Sequence, residues 1–576
     1  MKPISRRDFL RFSAVSGLSM TLPTGLFRAM PAFAGSSAPK VVILSVDALD
    51  PRYLFLNSRG EKGGRPGDYL MPNVRALVDG GVHFAKARCH LPSATDMNHL
   101  NALAGTCSVQ TGIFGVSAQP VAWDESGKMG EMDPPDLFSG GHSRQLDTLF
   151  AAWKREYGKN SRTLFAAGKE WVGRMFDVPG SGVDLVLGGS IGTLDIPGQA
   201  LPMTFRPPER YSFYDPPTDS NRRSDLTSIY QKTFCDLFYA RNPEHFPSDS
   251  WMVDNTLRIM NAAKPDLTLL LLAQMDDLQH GLGTAYPEDF RRLLLSHTSS
   301  VNPWVIREAV LDGIRDVDSQ VGRFMDGLLA MPEYRDTLVL LYSDHGHVTH
   351  RDTLRSNVDP FIETDPTAVL KHHRFLSRDE KQGVGYFAYT ASSYGGLYFK
   401  GPNRYRRAEQ ARDILSHYTL KDYFPDGSTL GTTSPWHVFT REEMERGVPG
   451  QAILPGELYH RFIDHPEKGL WPDVMLFMKN GWQLPITGGL AGNLGVTLPS
   501  YLPPLVGFLG GHGALDSRDI VMAFTGPGIP AGKVVNTPCR ISDLAPTLMG
   551  HLGMKTGLYH RSRDVRVAAD RSGELG

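Results

Sequence analysis

Seven residues of this chain have side chains that suit metal-dependent chemistry, and each follows an apolar run. They are three aspartates, three histidines and one threonine: Asp47, Thr95, Asp276, His280, Asp344, His345 and His512. Carboxylates and imidazoles are ligands for divalent metals, and a hydroxyl becomes a useful nucleophile when a metal lowers its pKa. The set therefore suits two divalent ions and a nucleophile, which indicates a metal-dependent hydrolase.

The local spacing of these residues supports metal binding. Asp276 and His280 are separated by one helical turn and would lie on one face of a helix. Asp344 and His345 precede Gly346, which permits the tight turn that two consecutive ligands require. His512 lies among glycines that let its imidazole enter a crowded site. Each motif alone has a simpler explanation, since an acid after a strand often caps the next helix.

Two further histidines, His347 and His350, follow the Asp344-His345 pair. They are potential ligands, but we interpret them as histidines of an outer layer or of the surface.

The apolar runs predict the elements that would bring these side chains together. Residues 41–44, 267–273 and 338–342 have the composition of buried parallel strands. Helical periodicity is present after Met71-Pro72-Asn73, around His99 and over residues 305–329. Alternating strands and helices predict an α/β fold with a doubly wound, mostly parallel central sheet and helices on both faces. In such sheets ligands bind beyond the carboxyl ends of the strands, where the seven residues would meet.

Two stretches interrupt the alternation, at about residues 117–249 and 351–504. Both are mixed in composition and lie between the candidate ligand segments. We therefore predict one catalytic domain over residues 35–576 with two insertions that fold as caps or lids and select the substrate. Surface decoration or an oligomer contact is the alternative for either stretch.

The N-terminus predicts export. Residues 1–34 contain a twin-arginine pattern at Arg6-Arg7, a modest apolar stretch and a final Ala-Phe-Ala. This is typical of a signal peptide that is handled by the twin-arginine export machinery, and it predicts a periplasmic or secreted protein. The apolar stretch is too short and interrupted for a good membrane span. We therefore expect no transmembrane segment in the mature chain.

Composition excludes several other classes of protein. The chain has 576 residues and a net charge of −2, and residues 1–34 contribute +4, which leaves the remainder mildly acidic. Such a balance gives no support for nucleic-acid binding through phosphate neutralisation. Four cysteines are too few for a disulfide scaffold, although one or two bridges are possible.

The order of these motifs resembles the alkaline phosphatase superfamily, and within it the nucleotide pyrophosphatase/phosphodiesterase branch. Thr95-Asp96-Met97-Asn98-His99 is similar to the nucleophile motif of that branch, and residues 111–113 resemble a later element of it. Ser343-Asp344-His345-Gly346, Gly511-His512-Gly513 and residues 525–528 resemble its remaining motifs. The resemblance covers the predicted sheet segments and does not extend to the two insertions.

The resemblance implies two zinc ions and a threonine nucleophile. One ion would be held by Asp276, His280 and His512. The other would be held by the remaining ligands: Asp47, Asp344, His345 and the Thr95 oxygen. Thr95 would attack phosphorus, and water would then hydrolyse the phospho-threonine. The substrate would be a small-molecule or lipid phosphoester, most simply a phosphodiester.

One departure from the family pattern concerns phosphate binding. The branch usually carries an asparagine that holds the phosphoryl oxygens, and Val116 stands there in this chain. Asn98 is our candidate replacement, and Asn101, the Thr95 backbone amide or a group from an insertion are the others. Ser93 is a second hydroxyl near Thr95, but it fits the motif spacing poorly.

Three functions remain open at this point. A phosphodiesterase or pyrophosphatase is our prediction. A phosphomonoesterase or a phosphonate or sulfate ester hydrolase of the same superfamily is the first alternative, and an arginine or lysine clamp from an insertion would favour monoesters. A non-catalytic protein that binds a cell-envelope partner is the second alternative, although a binding module would need no complete ligand set.

Overall fold

The structure is a computed structural model, and its description is confined to certain ranges of the chain. These are residues 38–111, 121–123, 129–131, 146–188, 193–206, 247–289, 303–349, 365–375, 384–389, 393–423, 429–459, 471–479, 482, 510–555 and 557–558. The predicted signal peptide at residues 1–34, together with His350 and Val116, lies outside these ranges.

Two larger sheets contain the main strands. In chain order these are β1 (Val41–Val46), β2 (Gly81–Phe84), β3 (Thr163–Ala167), β4 (Leu185–Leu187), β5 (Leu267–Leu272), β6 (Leu338–Tyr342), β7 (Val384–Tyr389), β8 (Tyr394–Phe399), β9 (Trp436–Thr440), β10 (Val474–Met478), β11 (Met522–Thr525) and β12 (Lys533–Val535). The α-helices are α1 (Pro72–Asp79), α2 (Thr95–Ala104), α3 (Ser108–Thr111), α4 (Leu149–Tyr157), α5 (Glu170–Phe176), α6 (Asp249–Ala263), α7 (Gln274–Leu282), α8 (Pro303–Ala330), α9 (Pro366–His372), α10 (Arg404–His417), α11 (Arg441–Arg446) and α12 (Leu544–His551).

The central sheet has eight strands in the order β12-β2-β11-β6-β1-β5-β3-β4. Its neighbours pair in parallel except on the two sides of β11, so β11 alone runs against the others. β1, β5 and β6 are adjacent in the middle of the sheet, and their residues are fully buried. The carboxyl ends of these three strands therefore meet at one edge, which is where an open parallel sheet binds its ligands.

Helices cover both faces of this sheet. Alternate residues of β1 point into two separate cores, with Val42 and Leu44 in one and Val41 and Ile43 in the other. Helices α1, α6, α7 and α8 pack against the first face, and α2, α4, α5 and α12 pack against the second. The predicted doubly wound, mostly parallel α/β fold is confirmed. Within the described ranges, none of the helices has the length and apolar character of a bilayer span.

The N-terminal amides of helix α1 are capped by a residue from a distant part of the chain. Pro72 opens it and Gly80 ends it, as the sequence predicts, but the N-cap residue Met71 has no side chain that can cap. Asp318 of α8 supplies the missing cap. Its carboxylate accepts hydrogen bonds from the amides of Asn73 at 3.1 Å and Val74 at 2.8 Å.

The prediction that residues 117–249 form an insertion outside the central sheet is wrong for part of this stretch. The stretch 117–249 was expected to leave the helix–strand alternation, but β3, β4, α4 and α5 continue it and belong to the central sheet. Residues 163–167 are a short apolar run, and they form a buried strand that pairs in parallel with β5. The mixed composition around this run concealed it. A cap role for other parts of the stretch stays a prediction.

The second stretch, 351–504, contains a separate antiparallel sheet in the order β7-β8-β10-β9. Helix α10 packs on one face. On the other face Tyr394 and Phe477 pack with Leu91 and Leu515, which lie in the segments that carry Thr95 and His512. The sheet is thus attached beside the carboxyl edge of the central sheet. That it acts as a lid stays a prediction.

Glu457 links this second unit to the central domain through a buried ionic contact. Its carboxylate lies 3.0 Å from His90 Nδ1 and 3.4 Å from the Arg540 guanidinium. Burial raises the pKa of Glu457, but Arg540 and the hydrogen bond from His90 outweigh this and lower it to about 2. The folded state therefore holds this carboxylate ionised.

We expect Glu457→Gln to make the free energy of unfolding depend less on pH in the acidic range. An acid whose pKa is lowered by folding stabilises the protein above its unfolded pKa of about 4.5, and this stability is lost as the pH falls towards 2. The wild type should lose on the order of 3 kcal/mol over that window through this group. The measurement is denaturant unfolding between pH 2 and 7. The exposed Glu442→Gln is the matched control, and an unchanged profile in Glu457→Gln would contradict the assignment.

Candidate metal centre

Three buried carboxylates meet where the central strands end. Asp47 directly follows β1, Asp344 follows β6 after one residue, and Asp276 lies in the first turn of α7 just beyond β5. All three are essentially inaccessible to solvent. Isolated carboxylates in such surroundings are costly, so they require nearby cations.

Asp276, His280 and His512 form one candidate set, with ligand atoms that all lie within 4.8 Å of one another. Asp276 and His280 lie one turn apart on α7, as their spacing predicts. His512 follows Gly510–Gly511, which pairs with Val348–Thr349. A Cβ on Gly510 would lie 2.3 Å from the Gln279 carbonyl oxygen, so only glycine lets the strand approach α7 this closely.

Asp47, Asp344 and His345 form the second set, again with ligand atoms within 4.8 Å of one another. His345 Nε2 lies 3.2 Å from Asp344 and 3.4 Å from Asp47. The Ala48 amide donates to the other Asp344 oxygen at 3.1 Å, which fixes the carboxylate. The two sets contain six of the seven residues that the sequence singled out.

The histidines of both sets are oriented by their backbone neighbours. Each Nδ1 lies near a carbonyl oxygen, at 3.2 Å from Gly510 for His280, 3.0 Å from Gly346 for His345 and 2.7 Å from Ser93 for His512. This arrangement leaves Nε2 for a metal. Burial lowers the pKa of His345 to about 3 and that of His512 well below its usual value, so both rings are neutral, as ligation requires.

Thr95, the seventh residue, is the first residue of α2. Its Oγ1 lies 3.2 Å from His345 Nε2, next to the second set. The N-cap residue Ala94 provides no side-chain cap, so the positive end of the helix faces this region without a competing side chain. A hydroxyl in this position can act on an anionic group that binds at the helix N-terminus.

Lys169 is a member of the site that the sequence analysis missed. It follows β3 and Gly168, it is 3% exposed, and its ammonium lies 2.8 Å from Asp47 and 2.6 Å from Asp276. The ammonium also donates to Thr95 Oγ1 at 3.1 Å. Lys169 follows an apolar run just as the other residues do, and this signal was available. The assignment of the surrounding stretch to an insertion hid it.

Two further histidines surround the ligand sets. His99 lies 3.6 Å from Asp344 and 2.8 Å from the Thr95 carbonyl oxygen, so it supports the second set. His347 is buried, and among the described residues its two ring nitrogens have no hydrogen-bond partner. Its Nε2 lies 3.6 Å from Asp276. His347 thus lies against the first set, and its interpretation as an outer-layer histidine stays a prediction.

The phosphate-binding role predicted for Asn98 does not fit the structure. Its amide nitrogen donates to the carbonyl oxygens of His90, Pro92 and Ala94, and its oxygen accepts from the His90 amide at 3.0 Å. The side chain therefore holds the loop before Thr95 and has no donor left for a phosphate. The sequence motif could not distinguish a phosphate ligand from a loop brace.

Ser93, the second hydroxyl candidate, also has a structural role. Its Oγ donates to the Ala514 carbonyl oxygen at 2.9 Å and accepts from the Gly513 amide at 3.0 Å. These bonds tie the loop before Thr95 to the segment that carries His512. Ser93 is thus committed to holding the two segments together.

The electrostatics of the two sets fit bound cations. Burial and the neighbouring Asp344 raise the pKa of Asp47, and burial raises that of Asp344. Burial also acts on Asp276, but Lys169 and the nearby histidines outweigh it and hold the pKa of Asp276 well below its usual value. Among the described residues, four oxygens of these carboxylates accept no hydrogen bond: Asp47 Oδ1 and Oδ2, Asp276 Oδ1 and Asp344 Oδ2. Of these, Asp47 Oδ2 is ion-paired with Lys169. Such oxygens are available as metal ligands.

Comparison with known proteins now identifies the family. The family model for type I phosphodiesterases and nucleotide pyrophosphatases matches residues 41–492, which is most of the chain. The chain belongs to this family. Its members hydrolyse phosphoric ester bonds and depend on metals, and this chain is accordingly a hydrolase of phosphoric ester bonds. No curated protein sequence matches the chain.

Solved structures support the fold of this family member. Murine ectonucleotide pyrophosphatase/phosphodiesterase 5 matches with a TM-score of 0.50 and 14% identity, over 90% of this chain and 96% of the murine one. An inactive form of the same murine protein in complex with AMP matches with a TM-score of 0.51, at the same identity and coverage. At this identity the similarity shows the fold alone.

We expect His280→Ala to lower the metal content of the protein from two ions to one per chain. The change removes an imidazole from the first set and leaves the second set intact. Elemental analysis after dialysis against zinc measures the result, with the outer-helix variant His417→Ala as the control that keeps both ions. Two ions in His280→Ala, or none in the wild type, would contradict the assignment.

Proposed function

We propose that this family member is an exported phosphodiesterase or pyrophosphatase-like hydrolase that uses Thr95 as nucleophile and two zinc ions. The observation that carries the proposal is the convergence of the site. Two separate ligand sets and one threonine hydroxyl, which come from five different segments of the chain, meet at the carboxyl edge of one sheet. A structural role alone would not require so many buried ionisable groups in one place.

Two features support Thr95 as the nucleophile. Its Oγ1 lies 3.2 Å from His345 Nε2, beside the second ligand set, and the N-terminus of α2 adds positive potential that favours the deprotonated hydroxyl. In the first step the Oγ1–phosphorus bond forms while the bond from phosphorus to the leaving oxygen breaks. In the second step water cleaves the phospho-threonine and restores the hydroxyl.

The metal ions would be held by the two sets described above. When bound, they supply positive charge that stabilises the attacking and leaving oxygens of an in-line displacement. Three imidazoles among the six ligands favour zinc over magnesium or calcium, which prefer oxygen ligands. The neutral state of the buried histidines supports the same choice.

The substrate class proposed from the family is a small-molecule or lipid phosphodiester. A diester of a nucleotide is one candidate, since an inactive form of the murine relative was solved in complex with AMP, a nucleoside monophosphate. A second candidate function is the hydrolysis of phosphate monoesters, which is favoured by the Lys169 ammonium beside Thr95.

We expect Thr95→Ala to lower the hydrolysis of a bis-aryl phosphodiester by roughly 10³-fold or more, because the variant lacks the hydroxyl beside the second ligand set and Ser93, the other candidate among the described residues, is committed to a structural role. Thr95→Ser keeps the hydroxyl and should retain activity within about tenfold. Initial rates with zinc-loaded protein measure this effect. Metal content must be compared in parallel, because Thr95 lies beside the second set. Full activity in Thr95→Ala with two bound ions would disprove the nucleophile assignment.

We propose that residues 1–34 direct the chain to the twin-arginine export machinery and hence to the periplasm or the exterior. Replacing the pair with lysines, Arg6→Lys together with Arg7→Lys, should keep the protein inside the cell, because this machinery reads the arginine pair. The measurement is the distribution of the protein between cytoplasmic and periplasmic fractions of a bacterium that has the twin-arginine export machinery. The control replaces Arg28, outside the pair, with lysine. Unchanged export of the double variant would contradict the proposal.

A further inference from the structure

Lys169 is buried at a position where an ammonium group is hard to explain by packing. Its side chain is almost fully buried, and an unpaired ammonium is costly in such surroundings. The carboxylates of Asp47 and Asp276 compensate this charge within hydrogen-bond distance. These two residues belong to different ligand sets, so the ammonium lies between the two sets and next to Thr95.

The backbone of Lys169 is held rigidly. Gly168 donates to the Leu271 carbonyl oxygen at 3.0 Å, and a Cβ at Gly168 would lie 2.7 Å from that oxygen. Lys169 is the N-cap residue of α5, and its carbonyl oxygen accepts from the Val172 amide at 3.1 Å. The lysine therefore projects from the central sheet itself and is preorganised for the site.

Resting on the function proposed above, we propose that Lys169 binds the non-bridging oxygens of the reacting phosphoryl group and adapts this site to phosphate monoesters. The ammonium lies 3.1 Å from Thr95 Oγ1 and carries three donors. A phosphorus atom bonded to Oγ1 places its other oxygens one bond further, within reach of these donors. Ligation of Asp47 and Asp276 by metal would release donors of the ammonium for this role.

The charge of the site supports a dianionic substrate. Two divalent ions, three carboxylates and a deprotonated Thr95 hydroxyl sum to no net charge, since imidazoles bind metals in the neutral form. The Lys169 ammonium adds one positive charge beside Thr95. This charge attracts the dianion of a monoester more strongly than the monoanion of a diester. Asn98 offers no donor to the phosphate, so Lys169 also supplies a contact that the family's asparagine would otherwise make.

The test compares an aryl phosphate monoester with a bis-aryl phosphodiester in the wild type and in Lys169→Met, which removes the charge and keeps the length. We expect kcat/KM for the monoester to fall by about 10²–10³-fold, the usual loss when one preorganised donor is removed. The diester carries one negative charge less, so its loss should be at least about tenfold smaller than that of the monoester. Lys169→Arg keeps the charge and should restore part of the monoester activity.

A binding measurement separates substrate contact from support of the metal site. Titration calorimetry of inorganic phosphate into zinc-loaded protein should show weaker binding in Lys169→Met by at least about tenfold, with two zinc ions still present per chain. Lys40→Met is the matched control, because Lys40 is ion-paired with Asp266 at the opposite end of the strands and should change neither readout.

The outcomes distinguish the two proposals. Equal losses on both esters, or unchanged phosphate affinity, would overturn the role of Lys169 while leaving the phosphoesterase in place. Loss of zinc in Lys169→Met would show that the lysine only supports the ligand sets, which also overturns the inference. A wild type that hydrolyses neither ester with two zinc ions bound would instead overturn the proposed function.

Discussion

The concentration of negative charge at the end of three adjacent strands is the constraint on which the site depends. Asp47, Asp276 and Asp344 are buried together, and the desolvation of three carboxylates is tolerable only with cations close by. Burial raises the pKa of Asp47 and Asp344, which shows that the protein groups alone do not fully compensate them. Two metal ions together with Lys169 would complete the balance.

The central sheet meets this constraint through its topology. β1, β5 and β6 are parallel neighbours, so their carboxyl ends deliver one carboxylate each to the same edge. Among the other candidate ligands, His280 lies on α7, His345 follows Asp344, and His512 follows Gly510 and Gly511, where glycine permits the close approach of the segment. The Ser93 hydroxyl ties the loop before Thr95 to this segment, and Asn98 braces the loop itself. Rigid elements therefore carry the reactive groups, as preorganised catalysis requires.

The second sheet is fixed to the central domain beside the metal centre. Its apolar face packs on Leu91 and Leu515, beside the segments that carry Thr95 and His512. Glu457 adds an ionic contact to His90 and Arg540 on the central domain. A unit fixed at this place is well situated to shape what reaches the metal centre, whereas the chemistry itself rests on the central sheet.

The sequence by itself determined the fold class and six candidate metal ligands, because buried parallel strands are continuous apolar runs whose ends are marked by polar residues. Asp47, Asp344 and the Asp276–His280 spacing could be read in this way, and helices α1, α2 and α8 follow their periodicity. The tertiary structure alone decided the rest. Asn98 turned inward to brace a loop, Asp318 capped a distant helix, and Lys169 joined the site from a strand hidden in a mixed stretch. These roles depend on contacts between residues far apart in the chain, and local patterns carry no information about which distant partner a polar side chain will meet.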